Sequence, residues 1–146
     1  MRACLAWIPL IFFAGCNKTD PSLVPVAGTI TLNDQPMANA TVTFIPKDGT
    51  PGFGGVGKTD AAGKYHLRGS RDDAAGIPPG EYRVVIGKRL MPDGSEVPAN
   101  DNTPPINSPA KESLPAAYSS MAASTLSATV RHDEGAIDFA LRDKKR

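Results

Sequence analysis

The sequence predicts an all-β domain, folded as an antiparallel sandwich of about seven strands. Apolar and polar residues alternate at period two in several short segments, which is typical of strands with one face on a core and one in water. Turn-forming residues separate these segments, and the 14 glycines and 14 prolines suit so many turns. The chain has 146 residues, which is enough for one domain with a core but not for two.

The alternating segments define the expected strands in chain order, and threonines occupy many of the outward positions. We expect turns between them at 33–34, 60–63, 78–80 and 133–135. The expected inward residues are Val26, Gly28, Ile30, Leu32, Ala40, Val42, Phe44, Tyr65, Leu67, Tyr82, Val84, Ile86, Leu126, Ala128, Val130, Ile137, Phe139 and Leu141.

The N-terminus predicts export. Residues 3–15 form an apolar run of 13 residues after Arg2, shorter than the stretch of about 20 that spans a bilayer. The run suits a signal peptide over residues 1–15. Its end, Phe13-Ala14-Gly15-Cys16, resembles the bacterial lipobox, in which the cysteine thiol receives a diacylglyceryl group and becomes the mature N-terminus. The alternative is a plain secretory signal cut nearby.

Lipidation of Cys16 would place the protein on a membrane of the cell envelope. Each buried methylene contributes about 0.8 kcal/mol, so two or three acyl chains give a nearly permanent anchor. Asn17 follows the cysteine, which favours the outer over the inner membrane under the sorting rule of enteric bacteria. Residues 16–25 are the expected tether. Cys4 leaves with the signal, so no disulfide is expected.

A long segment at 88–124 interrupts the alternation and contains six prolines. Segments of this length in a compact domain are usually functional or disordered, and short extended pieces are expected around 114–115 and Tyr118. If the domain binds a partner, this loop is the expected surface, because loops on a rigid scaffold tend to carry recognition. The basic tail at 143–146 is expected to be solvated.

Three segments resemble the carboxypeptidase regulatory-like domain: VAGTITLNDQPMANATVTFIP, KTDAAGKYHL and GIPPGEYRVVIGK. The closing residues resemble the tail of small bacterial lipoproteins that carry such a domain. The resemblance implies a Greek-key β-sandwich over residues 26–142, transthyretin-like and related to immunoglobulins. It implies no catalytic residues.

Two motifs within this resemblance have structural explanations. Gly63 can take the positive φ that closes a tight hairpin, and Tyr65 then turns into the core. Pro79 and Gly80 form a corner before a central strand, where Tyr82 is expected to hydrogen-bond back to the preceding chain.

The stretch GFGGVGKT at 52–59 matches the pattern of a phosphate-binding loop. Such a loop must open a helix, whereas here the next residues are a turn at 60–63 and an alternating strand. We therefore expect a crossover loop at 49–57, with the strand entering the hairpin over 56–59, and no nucleotide. Charges of 16 basic and 15 acidic residues indicate no nucleic-acid surface.

No residue pattern predicts catalysis, a cofactor or a metal. His66 and His132 are expected on exposed positions, and the acidic pairs at 72–73 and 133–134 in solvated turns. No serine lies in a G-x-S-x-G elbow, although a triad assembled in space stays open. The chain also lacks the Tyr-Arg-Gly-Ser ending of the transthyretin-related hydrolases of hydroxyisourate.

The sequence thus predicts a membrane-anchored lipoprotein with a non-catalytic binding or structural domain, whose partner is an unknown envelope protein or glycan. The alternative is a carbohydrate- or cell-wall-binding domain, for which Phe53 and Tyr118 are the aromatic candidates. An exported hydrolase is a third hypothesis without a motif.

Overall fold

The computed structural model describes residues 23–98 and 100–143. The predicted signal, Cys16 and most of the tether lie outside the described residues, as does most of the basic tail. Among the described residues, no helix has the length and apolar character needed to cross a membrane.

The regular secondary structure of the described residues is almost entirely β, as predicted. One helix of four residues, α1 (Ala116–Ser119), accompanies the strands β1 (Ala27–Leu32), β2 (Gln35–Pro36), β3 (Thr41–Pro46), β4 (Gly55–Lys58), β5 (Lys64–His66), β6 (Arg68–Gly69), β7 (Gly80–Gly87), β8 (Arg89–Leu90), β9 (Lys111–Glu112), β10 (Ser127–Val130) and β11 (Phe139–Leu141).

The strands form two larger sheets and one small pair. The larger sheet has the order β10-β7-β3-β4-β6, and the other joins β11, β1 and β2, with β5 also paired to β1. β8 and β9 pair with each other alone. The β1–β11 pairing is parallel, with Leu32 opposite Leu141. All other pairings between these strands are antiparallel, so the prediction of antiparallel pairing is wrong for this one contact.

Side chains from the two sheets form a single hydrophobic core. Phe44 on β3 contacts Tyr82 on β7 with ring centroids 5.8 Å apart. It also meets Phe139 on β11, in the other sheet, edge to face at 6.2 Å. Most of the predicted inward residues are buried in this core, and Leu32, Leu126, Ala128 and Ile137 pack against it while partly exposed. The period-two interpretation of the strands is therefore confirmed.

Both predicted structural motifs are present. The Tyr82 hydroxyl donates to the Pro78 carbonyl at 2.6 Å, and burial raises the pKa of Tyr82 to about 12. The buried Tyr65 donates its hydroxyl to the Ile137 carbonyl at 2.7 Å. Gly63 has φ +74°, and a Cβ there would lie 2.6 Å from the Ile30 carbonyl oxygen, so the turn requires glycine.

The segment 52–59 does not open a helix. Gly55–Lys58 is strand β4, paired with β3 and β6, which confirms the expected strand entering the hairpin. The predicted crossover loop at 49–57 is too long, because the strand already begins at Gly55. Thr59 is buried, and its hydroxyl accepts a hydrogen bond from the Ala40 backbone N–H at 2.8 Å. Because residues 55–58 pair in the sheet, their backbone amides do not converge on a helix start as those of a phosphate-binding loop do.

The segment 88–124 contains β8, β9 and α1, and one local prediction there is wrong. Tyr118 lies in helix α1, not in an extended piece. Pro115 precedes the helix with φ −55°, and its carbonyl accepts the N–H groups of Tyr118 and Ser119. Proline is favoured at a helix start because its missing N–H is not needed there, and a single turn is too short to leave a periodic apolar pattern.

The larger sheet has two distinct ends, set by the register of its strands. At one end Thr41 lies opposite both Lys58 and Gly87, and we call this the arm end. The chain enters at the opposite end, where Val24 forms a bridge with Ile77 just before β7 begins. We call this the tether end. Val24 falls inside the predicted tether, yet its backbone is already paired with the domain. Six residues of β3 separate the two ends by about 20 Å.

Candidate functional site

A cavity of about 450 Å³ lies at the arm end, between the outer face of the larger sheet and residues 88–98 and 100–112, which we call the arm. Its floor comes from outward positions of β3, β4 and β7, because side chains next to buried residues in a strand point to the opposite face. The floor residues are Thr41, Thr43, Lys58, Val85 and Gly87.

Glu112 fastens the arm to its own base. Its Oε1 accepts the backbone N–H groups of Lys88 and Leu114, each at 2.9 Å. Beside this contact, Ser113 donates its N–H and its hydroxyl to the Lys88 carbonyl, at 2.9 and 2.6 Å. A Cβ on Gly87 would lie 2.8 Å from Glu112 Oε2, so a larger residue at the end of β7 would require the Glu112 carboxylate to shift.

Arg89 organises the outer part of the arm. Its Nη2 donates to the Ala110 carbonyl at 2.6 Å and to the Pro105 carbonyl at 3.3 Å. The pKa of the nearby Asp101 carboxyl is lowered, mainly by hydrogen bonds from Thr103 and to a smaller extent by the Arg89 charge. Both side chains line the cavity and carry charge at neutral pH.

Glu96 connects the arm to the edge of the floor. It accepts a hydrogen bond from the Lys88 ammonium at 3.1 Å and another from the Asn39 amide. These hydrogen bonds, with that from Lys88 first, lower the pKa of Glu96. Because the pair is partly exposed, its net contribution to stability is small, and its main effect is to position the arm over the sheet.

Lys58 is the one floor residue with a charge. Within residues 23–98 and 100–143, no carboxylate lies within 4.0 Å of its ammonium. The charged groups of the lining are Lys58, Arg89, Glu96, Asp101 and Glu112. The lining also includes threonine and serine hydroxyls, so the cavity offers hydrogen bonds and charged groups of both signs, two cations and three carboxylates, to a small polar molecule.

The cavity lining includes neither histidine nor cysteine. His66 and His132 are both exposed, as predicted, and neither lines this cavity. Across the part of the chain that the structure describes, no cluster of three His, Cys, Asp or Glu side chains is arranged to hold a metal. The acidic pair at 72–73 is engaged locally, since Asp73 pairs with Arg68.

The two aromatic candidates for a glycan platform lie elsewhere. Tyr118 packs against the core and donates its hydroxyl to the Arg142 carbonyl at 3.0 Å. Phe53 is 60% exposed, with the Arg71 guanidinium 3.8 Å from its ring centroid. Neither ring lines the cavity.

Sequence reasoning places recognition on the 88–124 loop but identifies none of the residues that shape the cavity. From the sequence, Lys58 is noted only as part of the phosphate-loop pattern at 52–59. The available signal is the set of charged residues spaced among the prolines of the arm, namely Arg89, Glu96, Asp101 and Glu112. Comparisons with protein families, with characterised proteins and with solved structures find no match to this chain.

Replacing Glu112 with alanine should loosen the arm. Two backbone N–H groups lose their acceptor, so we expect hydrogen exchange across 88–98 and 105–114 to rise by about tenfold, which corresponds to about 1.4 kcal/mol of local opening. Exchange in β3 and β7 should stay unchanged. Mass spectrometry of the exchanged protein measures both regions.

The matched control is Glu81→Ala, which removes an exposed carboxylate from β7 that only approaches Lys47 at 4.0 Å. Arm exchange should be unaffected in this variant. If Glu112→Ala also left arm exchange unchanged, the carboxylate would not be what holds the arm.

Proposed function

We propose that this chain is an exported lipoprotein, held on a membrane of the cell envelope through acylated Cys16, whose domain binds a small polar ligand or partner segment without catalysis. The observation that carries the binding role is the polar cavity beneath the arm, at the end of the domain opposite the chain entry. A concave site with convergent polar groups is the usual form of a ligand site.

The finer fold that we propose is a transthyretin-like Greek-key sandwich. β3 and β4 form a hairpin, β5 leaves for the other sheet, and β7 returns to lie beside β3. In this sheet β7 comes after β3, β4 and β6 in the chain but lies next to β3, on the side away from β4. A Greek key has this connection, in which the fourth strand returns to lie beside the first. Four of the strands have only two residues, and the other seven would be the seven strands of the sandwich.

The anchor rests on the lipobox-like sequence and on the short tether. Eight residues from Cys16 to Leu23 reach at most about 26–29 Å when fully extended. The domain would therefore stay close to the membrane, with the cavity on the side away from the chain entry. Asn17 favours the outer membrane, and the proposed partner is an envelope protein or glycan.

A non-catalytic role fits the ionised state of two carboxyl groups that line the cavity. The pKa values of Glu96 and Asp101 are lowered by their hydrogen-bond donors, so both are carboxylates at neutral pH. General acid catalysis by a carboxyl group requires a raised pKa instead. These groups suit ligand positioning.

Carbohydrate binding is the alternative, and one observation favours it. The lining combines hydroxyls, an amide and carboxylates with nearly balanced charge, a set that matches the hydroxyls of a neutral sugar. The lining has no aromatic ring for a sugar to stack on, which makes this the second choice.

The proposed lipid anchor predicts the mass of the N-terminal peptide. The N-terminal peptide of the protein from native membranes should begin at Cys16 and carry a diacylglyceryl group, and the protein should fractionate with membranes. Cys16→Ala should abolish both the modification and the membrane association. Unmodified N-termini at another residue would contradict the anchor and leave a freely exported domain.

The cavity predicts where ligands bind. Thr43→Phe places an aromatic ring on the half-buried floor of the cavity. It should lower the affinity for any bound small molecule or glycan at least tenfold, a loss of about 1.4 kcal/mol or more in binding free energy. Thr129→Phe is the control, because Thr129 is exposed on β10 of the same sheet and does not line the cavity. The ligands to be compared are first identified by ligand-detected NMR and on a glycan array. Equal binding by both variants would place the site elsewhere.

A further inference from the structure

The tether end carries a second surface that the binding proposal does not use. A shallow depression of about 160 Å³ lies there, and Leu23, Phe53, Arg71 and Pro78 are among the residues that line it. Leu23 is the first residue that the structure describes, so residues 16–22 connect to the domain at this depression.

Phe53 and Arg71 form an exposed amphipathic pair. The Phe53 ring is 60% exposed, although it is a large apolar side chain, and the Arg71 guanidinium lies over one of its faces at 3.8 Å. Within the described ranges, no carboxylate lies within 4.0 Å of Arg71. The neighbouring Arg68, by contrast, is paired with Asp73. Arg71 is thus available to an external anion, and Phe53 beside it is largely exposed.

The short chain back to Cys16 determines what lies opposite this surface. Its maximum reach is about 26–29 Å, which limits how far the tether end can lie from an acylated Cys16. Once Cys16 is acylated, the tether end is the part of the domain nearest to the lipid headgroups. Aromatic side chains and arginine both favour this layer, the ring at the boundary of the acyl region and the cation at the phosphates.

We propose that the tether end, through Phe53 and Arg71, rests on the phospholipid headgroups of the membrane that holds Cys16. This inference rests on the proposed lipid anchor. The contact fixes the orientation of the domain, so that the arm end and its cavity point away from the bilayer. A domain that only swung on its tether would present the cavity in every direction.

A single tryptophan tests this contact. The sequence contains one tryptophan, Trp7, which lies in the predicted signal, so Phe53→Trp gives the mature lipoprotein a unique fluorophore. The lipidated protein is reconstituted into vesicles of phosphatidylethanolamine and phosphatidylglycerol, with and without brominated acyl chains. Burial at the headgroup boundary should produce a blue-shifted emission and a quenching of about twofold or more by the brominated lipid.

Two further variants keep the result specific. Ile106→Trp, on the arm and 91% exposed, should show neither the blue shift nor the quenching. Adding Arg71→Glu to Phe53→Trp should reduce the quenching, because the glutamate repels the lipid phosphates. Since Phe53 is largely exposed, Phe53→Trp should retain the thermal unfolding temperature of the unmodified chain.

The outcomes separate the two proposals. The mass of the N-terminal peptide is measured on the same reconstituted sample. A lipidated Cys16 with an unquenched fluorophore at position 53 overturns the contact and leaves the anchor intact, and so does equal quenching at positions 53 and 106. An unmodified Cys16 overturns the anchor and the contact together. Selective quenching at position 53, weakened by Arg71→Glu, supports the contact.

Discussion

The pairing of β3 with β7 is the constraint on which the rest of the structure depends. Each strand alternates between a buried and an outward side chain, so one pairing supplies both a core and a surface. Phe44 and Val84 lie on the buried face, while Thr43 and Val85 lie opposite each other on the outer one. A slip of one residue would exchange these faces, which would expose the core and bury the polar floor of the cavity.

The arm converts this outer face into a site without adding a second core. Its base is closed by the two-residue pairing of β8 with β9 and by the Glu112 contact to Lys88, and the hydrogen bond from Asn39 to Glu96 joins it to the edge of the sheet. Few apolar side chains hold it, so it belongs to the less stable part of the domain.

Local patterns in the sequence predict much of the fold and little of the site. Alternation identifies strands because the side-chain period is set by the backbone alone, and Gly63 and Tyr82 indicate their turns through local chemistry. The parallel pairing of β1 with β11 joins the first and last strands of the chain, and no local sequence pattern predicts it. The arm contacts are equally non-local: Asn39 and Glu96 meet across 57 residues of sequence.

The outer face of β3 and β7 beneath the arm is the proposed binding surface of this domain. An amide chemical-shift map of the isotopically labelled domain, titrated with the small-molecule fraction of the cell envelope, tests this proposal most directly. Binding in the cavity predicts shifts concentrated at Thr43, Val85, Gly87 and the arm. Shifts confined to the sheet of β1, β2, β5 and β11, or to the loop that carries Phe53, would contradict it.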